Sequence, residues 1–279
     1  MKLIADSGST KTEWVLTDNG NVVKRTLTKG YNPYYFDKQV LDDIVADELL
    51  PVIGQAAAVT EIYFYGAGCS TPANNNVVKS VLWSFFPSAT IEVEHDLLGA
   101  ARGLCGHQAG IACIMGTGSN SCSYDGANIV ENIASVGWMF GDKASGAHIG
   151  KSFIASFLDN SCPKELQEQF TETTGYDFGK ILLRIYSEPA PNRFFAESSY
   201  FVGQHIEVPF MENIVRNSFR EFFLENVCRY AHHREVPVNC TGSVALVFET
   251  LMKDEAAKLG LSIGRLIKSP TEGLITFHG

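Results

Sequence analysis

Two short bends built from Gly, Ser and Thr, each following an apolar run, constrain this chain more than any other feature. The first is Asp6-Ser-Gly-Ser-Thr-Lys-Thr12 after Lys2–Ala5, and the second is Gly116-Thr-Gly-Ser-Asn-Ser121 after Gly110–Met115. Each bend leads into another short run, then a turn (Asp18-Asn-Gly20 or Asp125-Gly126), then a third run, Val22–Leu27 or Ile129–Ser135. Asn-Gly between apolar runs is a strong hairpin signal, so the pattern predicts two strand–turn–strand–turn–strand units. Setting Ile4 on Ile114 places Gly8 on Gly118 and Ser9 on Ser119, an offset of 110 residues that suggests duplicated halves.

The rest of the chain reads as α/β. Asp37–Leu50 carries apolar residues at helical spacing, with Pro51 expected to end it or to sit just past its end. Glu61–Tyr65 and Thr90–Glu94 read as strands, Asn74–Phe86 as a helix, and another helix begins at Leu97. Beyond the second unit, Ile149–Leu158, Lys164–Thr173, Phe178–Tyr186, Met211–Ala231 and Val244–Lys253 read as helices, with a strand at Val236–Cys240. At 279 residues, two domains are expected, residues 1–106 and residues 107–279.

Charge and cysteine content narrow the function. With 22 Lys+Arg against 31 Asp+Glu, a net charge of −9 and no dense basic run, neither nucleic acid nor an anionic membrane is an expected partner. The opening MKLIADSGST turns polar by Asp6, and no apolar run approaches the ~20 residues that span a bilayer. Seven cysteines without a CxxC spacing fit reduced thiols in a cytoplasmic protein.

The two bends could bring backbone N–H groups and small hydroxyls close to a phosphate. Neither is a Walker A loop, and the third Gly of the dinucleotide fingerprint is missing after Gly116 and Gly118. Either bend alone could be a plain hairpin turn; two equivalent bends facing one another across a cleft favour phosphate. Asp96 falls at the C-terminal end of a strand, where α/β sheets place ligand-binding groups. It could accept the proton of a substrate hydroxyl, or simply cap the following helix. In Gly137–Gly150, Trp138 and Asp142 could form a wall for sugar hydroxyls, or the Trp could be core. Tyr34, Tyr35 and Met211–Phe223 read as packing.

These pieces, in this order, resemble the sugar-kinase/Hsp70/actin superfamily. The nearest branch is the N-acetylglucosamine kinase group, which shares its domain with BadF/BadG/BcrA/BcrD-type ATPases. The resemblance rests on the two bends, His95-Asp96-Leu-Leu-Gly-Ala100, Gly137-Trp138 with Gly141-Asp142 and Ser145-Gly146, and Cys240-Thr-Gly-Ser-Val244. It implies a two-domain actin-like ATPase (ribonuclease H-like) fold with duplicated β-sheet cores and a cleft between them. It also implies an ATP- and Mg²⁺-dependent kinase acting on a hydroxyl of an amino sugar, N-acetylglucosamine by preference, and a homodimer. By position, Asp96 would be the base, and Asp6 would act at the metal through water. Ser9, Thr10, Lys11, Thr117 and Gly118 would contact ATP phosphates, while Gly242 and Ser243 would line the adenosine pocket. Asn32, Ser119, Asn120, Trp138, Asp142 and Gly146 would contact the sugar. Lys143 departs from the family pattern by standing where an acidic residue is usual, which raises the alternative of a non-catalytic sugar sensor. A partner-driving ATPase of the same fold is a third reading. The Fe–S redox activators are set aside because no cluster-type cysteine spacing occurs.

Overall fold

The computed structural model describes residues 1–54 and 56–279. The chain divides into two compact units. The first comprises Met1–Ala109, Tyr124–Ile129 and Ser269–Gly279, and the second comprises Gly110–Ser123 and Val130–Lys268.

The first sheet holds β1 (Lys2–Ser7), β2 (Lys11–Asp18), β3 (Asn21–Lys29), β4 (Glu61–Gly66) and β5 (Thr90–His95) in the order β3-β2-β1-β4-β5. β2 pairs antiparallel with β1 and β3, while β4 pairs parallel with β1 and β5. Alternation along the central strands sends Leu3, Ala5, Trp14 and Leu16 into one core and Ile4 and Val15 into another. The first core is closed by α1 (Lys38–Asp43), α2 (Leu50–Ile53) and α3 (Pro72–Phe85), through Leu41, Ile53, Val78, Val81 and Leu82. The second is closed by Leu274 and Ile275 of the segment Thr271–His278, which also packs on α4 (Asp96–Cys105). A central strand that is apolar on both sides requires such cover on both faces.

Pro51 does not end the first helical stretch. A π-helical turn, Ile44–Leu49, precedes it, and Pro51 falls in the first turn of α2. Proline is accommodated where the backbone has already left the i→i−4 ladder: the N–H of Leu50, just before it, donates to the Val45 carbonyl five residues back.

The second sheet holds β6 (Gly110–Met115), β7 (Ser119–Tyr124), β8 (Ile129–Asn132), β9 (Val238–Thr241) and β10 (Ile263–Ile267) in the order β10-β9-β6-β7-β8. Read from β8, this repeats the order of the first sheet. The first three strands of each sheet start at residues 2, 11 and 21 and at 110, 119 and 129, a constant step of 108 residues. Gly8 therefore matches Gly116, two residues from the register that the sequence motif suggests.

Around this sheet lie α5 (Gly137–Phe140), α6 (Gly146–Leu158), α7 (Lys164–Thr174), α8 (Phe178–Tyr186), α9 (Pro191–Gln204), α10 (Pro209–Glu225), α11 (Ser243–Val247) and α12 (Glu249–Lys258). Their aromatic core includes Phe153, Phe170 and Phe201, with ring centroids 5.1 to 5.3 Å apart. The last helix, α13, is Thr271–His278. Among the described residues, no cysteine forms a disulfide and no helix is long and apolar enough to cross a membrane.

Candidate functional site

In the first unit, the turn between β1 and β2 is closed by Gly8 N–H donating to the Lys11 carbonyl at 3.0 Å. Thr10 and Lys11 are exposed there and Ser9 is half-buried. Ser7, one residue earlier, points into the core and lies 2.7 Å from the Thr12 hydroxyl. Asn32 reaches the same turn: its Nδ2 donates to Ser9 Oγ at 3.0 Å, and its Oδ1 accepts the Tyr34 N–H at 3.0 Å. Asn32 is thus braced against the β1–β2 turn.

Asp6 shares the β1 face of Ile4, toward α4 and α13. Its Oδ2 lies 3.3 Å from the Ser269 hydroxyl, which is also 3.2 Å from Glu13 Oε2. Burial first, and the Asp96 charge second, push the Asp6 carboxyl up to about 7, against the Ser269 hydrogen bond. Asp96 is the first residue of α4. The cap is His95, whose Nδ1 accepts the Leu97 N–H at 3.3 Å while its Nε2 lies 3.2 Å from Asp96 Oδ1. Asp96 is therefore released from the capping role that its position suggests. Its carboxyl is raised by burial and held down by His95 and by the Leu97 and Asp96 N–H groups, and 27% of the side chain stays accessible.

In the second unit, the turn between β6 and β7 is closed by Gly116 N–H donating to the Gly118 carbonyl at 2.9 Å. The start of α6 straps it down: Gly146 N–H donates to the Gly116 carbonyl at 2.8 Å and Ala147 N–H to the Thr117 carbonyl at 3.1 Å. Ser119 donates its hydroxyl to the Lys143 carbonyl at 2.6 Å and its N–H to the Asp142 carboxylate. A Cβ on residue 118 would lie 2.8 Å from Asp142 Oδ2, so any larger residue would push this carboxylate aside. Asp142 is raised by burial, against Ser119, Ser135 and Lys151. Asn120 Oδ1 accepts from Ser121 N–H and Asn132 Nδ2 at 2.9 and 3.0 Å. Trp138 is half-buried with its ring 5.9 Å from Phe195, so one side packs on the core.

A cavity of about 280 Å³ opens beside this turn, lined by Thr117, Gly146 and Ser243 with Tyr200, Val244 and Phe248. Gly242 sets the turn that leads to Ser243: at φ +116°, with a Cβ that would overlap the Met115 carbonyl oxygen, no other residue fits between β9 and α11. Small polar groups beside apolar walls suit a nucleoside carrying phosphates.

Each unit thus gathers its own predicted residues: Asp6, Ser9, Asn32 and Asp96 in the first, and Thr117, Gly118, Ser119, Asp142, Gly146 and Ser243 in the second. Ser269 and Glu13 beside Asp6, and Tyr200 and Phe248 at the cavity, lack any sequence signal of their own. The acidic substitute position, Lys143, donates to Glu221 at 2.8 Å and lies 3.9 Å from Glu225. Its charge is thereby taken up by α10.

No protein-family model and no curated protein matches the chain. Among solved structures it is similar to a protein provisionally named an N-acetylglucosamine kinase from Porphyromonas gingivalis. That chain is 42% identical, with 100% of this chain and 98% of that one covered at a TM-score of 0.95. A second provisionally named N-acetylglucosamine kinase, from Chromobacterium violaceum, is 17% identical over 100% and 98% of the two chains at a TM-score of 0.77. A ROK family glucokinase from Streptomyces griseus, in complex with glucose and AMPPNP, is 12% identical over 99% and 97% at 0.54. The last two share the fold. With two sheets of one strand order, a small-residue turn after the central strand of each, and 42% identity along the whole chain, the protein belongs to the N-acetylglucosamine kinase-like family of the actin-like ATPase fold.

Proposed function

We propose that the protein is an ATP-dependent kinase that phosphorylates a hydroxyl of an amino sugar, N-acetylglucosamine first among candidates. The observation that carries this reading is Asp96. It is a partly accessible carboxylate at a helix N-terminus whose proton affinity is raised by burial, in a chain 42% identical to a protein provisionally named for that activity. A base with raised affinity transfers protons better near neutral pH than an ordinary carboxylate.

Asp96 takes the proton of the attacking hydroxyl, the sugar oxygen forms its bond to the γ-phosphorus, and the bond to the β–γ bridging oxygen breaks to release ADP. Ser9, Thr10 and Lys11 on one turn and Thr117 and Gly118 on the other hold phosphates, and the 280 Å³ cavity beside Ser243 takes the nucleoside. Asn32, Ser119, Asn120, Trp138 and Asp142 hold and orient the sugar, with Gly146 keeping the loop close.

Mg²⁺ fits this donor set. The cation keeps several waters and binds through one or two carboxylates plus phosphate oxygens. No cluster of three or more His, Cys, Asp or Glu side chains placed for a metal occurs among the described residues, whereas burial and then the Asp96 charge raise the proton affinity of Asp6. A bound cation would relieve that repulsion and neutralise charge on the transferring phosphoryl group.

The Lys143–Glu221 ion pair accounts for the departure that would favour a non-catalytic sensor. A cytoplasmic homodimer completes the reading, supported by the family resemblance. The decisive experiment incubates the protein with ATP, Mg²⁺ and a panel of hexoses and N-acetylhexosamines and reads phosphosugar by mass spectrometry. ADP release without any phosphosugar overturns the kinase reading in favour of an ATPase.

A further inference from the structure

The loop that ends in α6 is held in an expensive conformation. Three residues with side chains, Val136, Asp142 and Ala144, have φ of +53°, +51° and +58°, in the left-handed region. Such backbone persists where the surroundings over-determine it, and it concentrates at functional sites. The clamp here comes from α10, a helix that the sequence reads as packing.

Ser218, 1% exposed in the middle of α10, accepts the Ala144 N–H at 3.1 Å and lies 2.7 Å from His148 Nδ1. One turn on, Glu221 receives the Lys143 ammonium at 2.8 Å and lies 3.5 Å from His148 Nε2. Burial pulls His148 down to about 4, so the ring is neutral at pH 7. With Nε2–H turned toward Glu221, Nδ1 accepts the Ser218 proton, and the Ser218 oxygen is left to accept from Ala144. Every hydrogen bond in the group then has one donor and one acceptor. Its far side reaches the site directly, because Lys143 and Asp142 hold the Ser119 hydroxyl and N–H.

We propose that Ser218 and Glu221 are positioning residues that set the sugar-contacting loop at Asp142 through Ala144 and Lys143. The proposal rests on the reading that this loop meets the sugar. It predicts a selective loss: removing the Ser218 hydroxyl leaves the Ala144 N–H buried without an acceptor and frees the strained turn. The Gly146 and Ala147 straps on the phosphate turn do not pass through Ser218 and remain.

The test is Ser218→Ala, alone and combined with Ala144→Gly, using N-acetylglucosamine and ATP as the varied substrates. The Ser218→Ala variant is expected to raise the KM for N-acetylglucosamine about tenfold, the size of one lost hydrogen bond, with the KM for ATP within about twofold. Adding Ala144→Gly, which adopts a positive φ without strain, is expected to recover most of that loss. A merely structural role would lower thermal stability and leave both KM values of the folded fraction unchanged; that result overturns the proposal, as does a parallel rise in both. Amide exchange supplies a readout independent of turnover: residues 142–145 should lose protection in Ser218→Ala while the Gly146 and Ala147 N–H groups, β6 and the rest of α6 keep theirs. Unchanged loop protection overturns the positioning role whatever the wild-type protein catalyses. Absence of sugar-dependent ADP release by the wild type overturns the kinase reading and leaves the exchange result to judge the clamp.

Discussion

The Ser269 hydroxyl lies 3.3 Å from a carboxylate oxygen of Asp6, two residues at opposite ends of the sequence that meet beside the central strand of the first sheet. This contact lowers the proton affinity of a group that burial and Asp96 drive upward. The balance among these groups has consequences that can be measured.

Asp96→Asn keeps the shape of the side chain and removes the proton acceptor. Turnover should fall at least ~100-fold, the lower bound for general-base catalysis. ATP affinity, measured by calorimetry, should survive. Near-normal turnover would remove Asp96 from its role.

Asp6 should impose a pH dependence on folding. With a folded value of about 7 against an ordinary 3.8, the native state keeps a proton that the unfolded state has lost between about pH 4 and 7. Stability contributed by this group is full below that window and declines as pH rises through it, by up to about 1.4 kcal/mol per pH unit. His148 and His278, both pulled down to about 4, act with the opposite sign, so the observable is a difference. Urea unfolding without divalent cations should find Asp6→Asn gaining on the wild type from pH 5 to pH 8; parallel curves would refute this.

Gly242→Ala has nowhere to put its methyl group. The cost should be about 3 kcal/mol or more, since left-handed strain and overlap with the Met115 carbonyl add together. A chemical denaturation midpoint close to that of the wild type would contradict the geometry.

Lys143→Glu introduces the charge that the family usually carries. In this chain it would face Glu221 and Glu225 with no cation between them. The melting temperature should drop, equivalent to about 1 kcal/mol for partly exposed charges, and 0.5 M NaCl should recover part of the loss. An increase in stability or activity would show that α10 does not provide the balancing charge.

The turns and strand ends that carry the candidate residues were legible where small or acidic residues interrupt apolar runs, as at Gly8, Gly116, Gly118 and Asp96. The helix α9 was not legible, because Ser198, Ser199 and Gly203 break its apolar stripe. Ser198 and Ser199 satisfy their hydroxyls on the Phe194 and Ala196 carbonyls of their own helix. The edge strand β10 was hidden for the opposite reason: exposed Gly264 and Arg265 leave it too little apolar pattern. The first turn of α6, Gly146–His148, precedes the helix that the sequence predicts from Ile149, because glycines, normally helix breakers, occupy its contact face. Gly150 sits so close to the Phe195 carbonyl that a methyl group could not enter. Ser218 and Glu221 had no signal at all, since their partners are set by tertiary packing.

Leu274 and Ile275 of α13 seal Ile4 and Val15, and His278 reaches the Tyr65 hydroxyl at 2.8 Å. During synthesis, then, the amino-terminal sheet waits with one apolar face covered only in part, by α4, while more than a hundred later residues are added. The second unit has all its strands and helices before the first receives its closing helix. A nascent chain of this protein is therefore a natural client for chaperones that shield exposed apolar surface on the ribosome.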